Sequence, residues 1–213
     1  MAAGAWTSSS IGRLPPMIVV GIAADDGSRS RDLAPVPWDG SAEARGAQYG
    51  QFVAEVVVPV VDRAYRTVPA PRCRGIGGAS LGGVSALQIG LTYPQRFGMV
   101  LALSPLLRDP AIAGFLTALW RSRASVGPNV LIDFDDDRVG RADLAWLQAM
   151  AAARPPTTLV QTSDSRHSIA SWAKRVIPAL TKLLGMGAPT KRCEIAHNPE
   201  RQRMLYGSDD RYD

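Results

Sequence analysis

An α/β fold with a mostly parallel sheet flanked by helices is what this sequence predicts, and three observations predict it. Short β-branched or aliphatic runs alternate with longer stretches of helical periodicity from about residue 72 to residue 184. A glycine-rich turn, Gly77 to Gly83, falls between one such run and the helix after it. The last long stretch, Ser168 to Leu184, sets Ile169, Trp172, Ala173, Val176, Ile177, Leu180, Leu183 and Leu184 on one side of a helix.

The elements follow in order. Residues 1–16 are small, polar and end in two prolines, so they read as an irregular arm. Met17 to Ile22 reads as a buried strand, and Asp25 to Gly40, rich in Gly, Ser, Asp and Pro, as a long loop. Ala44 to Arg63 has helical spacing with Pro59 as a kink. Then come a weak strand at Arg72–Ile76, a helix at Leu81–Thr92, a strand at Met99–Leu103 and a helix at Asp109–Arg121. A strand at Asn129–Phe134, a helix at Arg141–Ala153, a strand at Thr157–Gln161 and the helix from Ser168 complete the series. The tail from Gly185 is polar and reads as peripheral; no linker divides residues 1–213 into two domains.

With 213 residues, 46% hydrophobic and 20% charged, the chain has the composition of one ordinary globular domain. No run of about 18 apolar residues is present, so no membrane span and no membrane partner are expected. The net charge of +5 comes from scattered arginines without interleaved aromatics, which argues against nucleic acid as a partner. Cys73 and Cys193 match no metal-binding spacing and make no disulfide scaffold; a single disulfide stays open, and reduced thiols in a cytoplasmic protein are the default expectation. With two histidines and no phosphate loop, neither a metal nor another cofactor is expected.

The chemistry concentrates at Gly78-Ala79-Ser80-Leu81-Gly82-Gly83, a G-x-S-x-G pattern between a strand and a helix. A tight strand-to-helix turn lifts the Ser80 hydroxyl clear of the sheet. Small residues at 78 and 82 let the neighbouring backbone pass. The Leu81 N–H, at the start of the helix, can donate to an oxyanion. A serine nucleophile needs a base. His167 follows the last strand, where chain order Ser, acid, His puts it, while His197 sits in the polar tail as a surface residue. The acid that orients the imidazole is sought in Asp135-Asp136-Asp137, after the strand ending at Phe134. Asp137 is the first choice, Asp135 and Asp136 stay open, and Asp164 is an outside candidate. The competing structural role for these aspartates is capping the next helix.

These residues resemble a family of esterases that includes esterase D (S-formylglutathione hydrolase), enterochelin esterases, feruloyl esterases and the mycobacterial mycolyltransferases. The likeness runs over residues 14–184. It is carried by Pro15 to Ile22 with Arg31 to Pro35, by Phe52 to Thr67, most closely by Gly78 to Leu107 with Tyr93-Pro94 and Leu103-Ser104, and by Arg166 to Trp172. It implies an α/β-hydrolase fold and acyl transfer from a small-molecule ester or thioester through an acyl-enzyme on Ser80, with His167 as base and Asp137 as acid. Two departures stand out. The acidic segment lacks the family's preceding glycine, and strands that usually precede the Met17 segment are missing. One of those strands normally lies beside the nucleophile strand and leads to the second oxyanion N–H. The expectation is therefore a hydrolase reduced at its N-terminus, whose sheet closes up, recruits the arm or borrows from a second subunit in a homodimer. The alternatives are an acyltransferase using the same three residues and a non-catalytic descendant serving as a binding or structural domain.

Overall fold

The computed structural model describes residues 3–4, 14–25, 27–38, 40–122, 127–135, 141–153, 157–163, 166–185 and Cys193, with 3–4, 141–143 and 153 by backbone alone. Four strands form one parallel sheet in the order β3 (Gly75–Ala79), β4 (Met99–Leu103), β5 (Asn129–Asp135), β6 (Thr157–Thr162). Each strand is followed by a helix: α4 (Leu81–Thr92), α5 (Pro110–Ser122), α6 (Arg141–Ala153) and α7 (Ile169–Gly185). Strands in chain order, joined by helices, are the outcome of right-handed crossovers repeated in one direction. Asp109 starts α5 by accepting hydrogen bonds at Oδ1 from the N–H groups of Ala111 and Ile112 (2.9 and 3.0 Å).

The period-two alternation of the strands sorts the core into two layers. Val100, Ala102, Val130, Ile132 and Phe134 face one way and pack with Leu81, Val84 and Leu87 of α4, Ile112, Leu116 and Trp120 of α5 and Leu147 of α6. Leu101, Leu103 and Leu131 face the other way, against Ala179 and Leu183 of α7. Burying each such leucine stabilises the fold by about 1.5–3 kcal/mol. Asp133 and Asp135 continue the α7-facing row of β5, so two carboxylates stand where the pattern calls for apolar side chains; both residues are buried.

Several expectations are corrected before the sheet begins. The supposed arm contributes β1 (Ala3–Gly4), which pairs antiparallel with β2 (Val19–Val20). The Met17 run is no buried strand: only two of its residues are extended in pairing, and Ile18 and Val19 are 40% and 47% exposed. The long loop contains a short helix, α1 (Arg29–Leu33), because Leu33 and Ala34 bury themselves in the main core. The helix expected at Ala44–Arg63 forms as α2 (Gly46–Phe52) and α3 (Val58–Ala64), joined by a π-helical turn, Val53–Val57, and not by a proline kink. The Val58 N–H reaches back to the carbonyl of Val53, and the widened turn makes room one residue before Pro59, which has no N–H to give. The weak strand shifts from Arg72–Ile76 to Gly75–Ala79, because pairing with β4 outweighs the low strand propensity of its glycines.

Among the described residues β3 pairs only with β4, so the strand that leads to Ser80 lies at an edge of the sheet. The arm is recruited by β2 and not by β3. The cysteines are not reduced thiols: Cys73, at the end of a 3-10 turn (Pro71–Cys73), is disulfide-bonded to Cys193 in the tail. No helix of the described residues is long and apolar enough to cross a membrane.

Candidate active site

Ser80 lies between the last residue of β3 and the first of α4. Its backbone has φ 56° and ψ −125°, a conformation that side-chain-bearing residues rarely adopt. The surroundings hold it there. Its N–H donates to the Leu103 carbonyl (2.9 Å), and its own carbonyl accepts from Gly83 (2.9 Å) and Val84 (3.2 Å) in α4. The turn is as tight as the sequence suggested at Gly78, where an added Cβ would collide with the Gly82 carbonyl. Gly82 is different: a Cβ there meets nothing within 4 Å, so its smallness is not required by neighbouring backbone.

The hydroxyl of Ser80 meets His167. The imidazole Nε2 lies 2.9 Å from Ser80 Oγ, and Nδ1 lies 3.2 Å from Asp135 Oδ2. His167 sits in the segment between β6 and α7, and Asp135 is the last residue of β5, so all three stand at the carboxyl edge of the sheet. The Asp135 side chain is fully buried and that of His167 is 16% exposed. Leu81, whose N–H was assigned to an oxyanion, follows Ser80 as the first residue of α4, with the helix dipole behind it.

Among the described residues the carboxylate that reaches His167 is that of Asp135, one of the three adjacent aspartates and not the first choice. Asp136, Asp137, Asp164 and His197 lie outside the described residues. β5 runs one residue further than its apolar run, and that residue carries the carboxylate that reaches the imidazole.

Three participants were missed from the sequence: Asp133, Ser104 and Arg175. Arg175 of α7 is 7% exposed and lies between Asp133 and Asp135: Nη1 pairs with Asp133 Oδ1, and Nη2 lies 2.6 Å from Asp135 Oδ1. Nη2 also donates to Ser104 Oγ (2.8 Å), which accepts a second hydrogen bond from Trp172 Nε1 (3.1 Å). Trp172 sets its ring edge-to-face with His167, centroids 4.8 Å apart at 86°. Burial pushes the Asp133 carboxyl up from its ordinary value, opposed by the Thr162 hydroxyl, which donates to it (2.9 Å), and by Arg175. Ser104 also has positive φ, 42°. A signal for Arg175 existed: it falls in the apolar stripe of α7, three residues after Trp172 and four before Ala179, where a cation must have buried partners.

The fold has relatives among solved structures. An enterobactin esterase from Shigella flexneri, solved in the presence of enterobactin, matches at 22% identity and a TM-score of 0.67, over 84% of this chain and 45% of its own. A siderophore hydrolase from Aspergillus nidulans matches at 22% and 0.52, over 79% and 69%. An S-formylglutathione hydrolase from Agrobacterium tumefaciens matches at 18% and 0.53, over 73% and 63%. The chain spans less than half the length of the Shigella esterase structures. No curated protein matches at the level of sequence. The model of one family, described as "Putative esterase", matches residues 2–183, and with its parallel sheet and structural relatives this chain belongs to that esterase family, of the α/β-hydrolase fold.

Proposed function

We propose that this protein hydrolyses carboxylic esters or thioesters through an acyl-enzyme on Ser80. The observation that carries this reading is the chain of contacts Ser80 Oγ to His167 Nε2 (2.9 Å) and His167 Nδ1 to Asp135 Oδ2 (3.2 Å). His167 takes the hydroxyl proton as Ser80 attacks the carbonyl carbon, and Asp135 stabilises the imidazolium that results. The Leu81 N–H donates to the tetrahedral oxyanion. The proton then passes to the leaving alcohol or thiol, and His167 activates a water that releases the acid.

The test is hydrolysis of p-nitrophenyl acetate and butyrate by the wild type and by Ser80→Ala. The expected result is turnover that disappears with the hydroxyl. Equal activity in both, or none in either, overturns the reading in favour of a non-catalytic role. Enterobactin, present with the Shigella enterobactin esterase, is the first natural substrate class to try. The Cys73–Cys193 pairing favours an oxidising compartment over the cytoplasm.

A further inference from the structure

One guanidinium supports His167 from both sides. Asp135 divides its carboxylate, giving Oδ2 to His167 Nδ1 and Oδ1 to Arg175. Trp172, the aromatic wall of the imidazole, gives its indole N–H to Ser104 Oγ, and Ser104 Oγ is also bonded by Arg175. The second arm of Arg175 is anchored on Asp133, whose other oxygen accepts from Thr162. His167 in turn reaches Ser80 Oγ with Nε2 (2.9 Å).

We propose that Arg175 is a positioning residue for the reaction proposed above: it fixes Asp135 directly, and Trp172 through Ser104, so that His167 stays aligned with Ser80. This rests on the Ser80–His167 reading.

The charge of Arg175 matters as well as its shape. The groups facing it are Asp133 and Asp135 from β5, Thr162 from β6, Ser104 from β4, Trp172 from α7 itself, and His167 beyond Asp135. One cation faces two carboxylates. Without it the cluster gains a full negative charge and holds a proton to higher pH. The acid limb of kcat/KM then moves upward.

The experiment compares wild type, Arg175→Gln, Arg175→Lys and the double variant Asp133→Asn/Arg175→Gln. It measures kcat, KM and the pH profile on p-nitrophenyl butyrate, per site titrated with a fluorophosphonate. Arg175→Gln is expected to lose about 10- to 100-fold in kcat, the scale of a misaligned catalytic group. KM should stay within about threefold, since ground-state binding is untouched, and the acid limb should shift up. Arg175→Lys keeps the charge, so its acid limb stays in place and part of kcat returns. If Arg175→Gln does not fold, the double variant removes the orphaned carboxylate too, and the same loss of kcat is expected of it. A folded Arg175→Gln or double variant with wild-type kcat per titrated site, or an Arg175→Gln with an unmoved acid limb, overturns the positioning role. A wild type that neither turns over nor labels at Ser80 instead overturns the hydrolase reading beneath it.

Discussion

Asp135 serves two partners with its two oxygens, His167 on one side and Arg175 on the other. Replacing it by Asn keeps the shape but removes the charge that stabilises an imidazolium and fixes the tautomer. The expected cost is on the order of a thousandfold or more in kcat. Asp137→Asn should stay within a few-fold of wild type, and side-by-side esterase assays of the two variants check the assignment. Ser80 and His167 were legible because each is tied to a local pattern: a serine flanked by glycines at a strand end, and a histidine after the last strand. Asp135 was legible only to within three adjacent residues. Which aspartate reaches the imidazole depends on where β5 ends and which face its last side chain takes, and a one-residue change there reverses the face. Ser104 was legible only as part of the family likeness, since a serine after a strand is ordinary and nothing local shows that it meets Trp172 and Arg175. Asp133 and Arg175 did leave a local trace, as charges on apolar stripes of β5 and α7, but their pairing across the sheet is a tertiary fact.

At the scale of elements, the turn at Ser80 is set by close packing of backbone. Gly78→Ala should destabilise the protein by about 1–3 kcal/mol, the usual range for forced overpacking, because the new methyl meets the Gly82 carbonyl. Gly82→Ala faces open space and should leave the melting temperature close to wild type; thermal unfolding of both variants measures the contrast. The helices α4 to α7 were legible within a residue or two, since long periodic segments carry their own signal. β2 was misjudged because an apolar run shows what wants burial and not whether a partner is there to bury it; Ile18 and Val19 remain exposed. The π-helical turn before Pro59 has the same helical periodicity at sequence level as a kink, so the two are told apart only by the hydrogen bond from Val58 to Val53.

For the whole molecule, strand alternation made the parallel sheet predictable and the missing strands pointed to an open side of β3, while the pairing of β1 with β2 was not predictable. Nor was the disulfide, since two cysteines 120 residues apart give no spacing to read. A cross-link over so long a loop restricts the unfolded chain strongly. Cys73→Ser, or reduction of the wild type, is expected to lower stability by about 2–4 kcal/mol, seen as a fall in the denaturant midpoint. An unchanged midpoint would mean that the pairing contributes nothing in solution.

The same bond has a topological meaning. Residues 73 to 193 form a closed covalent ring, and Ser80, Ser104, Asp133, Asp135, His167, Trp172 and Arg175 all lie on it. A protease that nicks the ring once, anywhere between the two cysteines, opens the circle without separating its pieces. The fragments stay joined at Cys73 and Cys193, and a cleaved molecule passes for an intact one until a reductant releases its two halves.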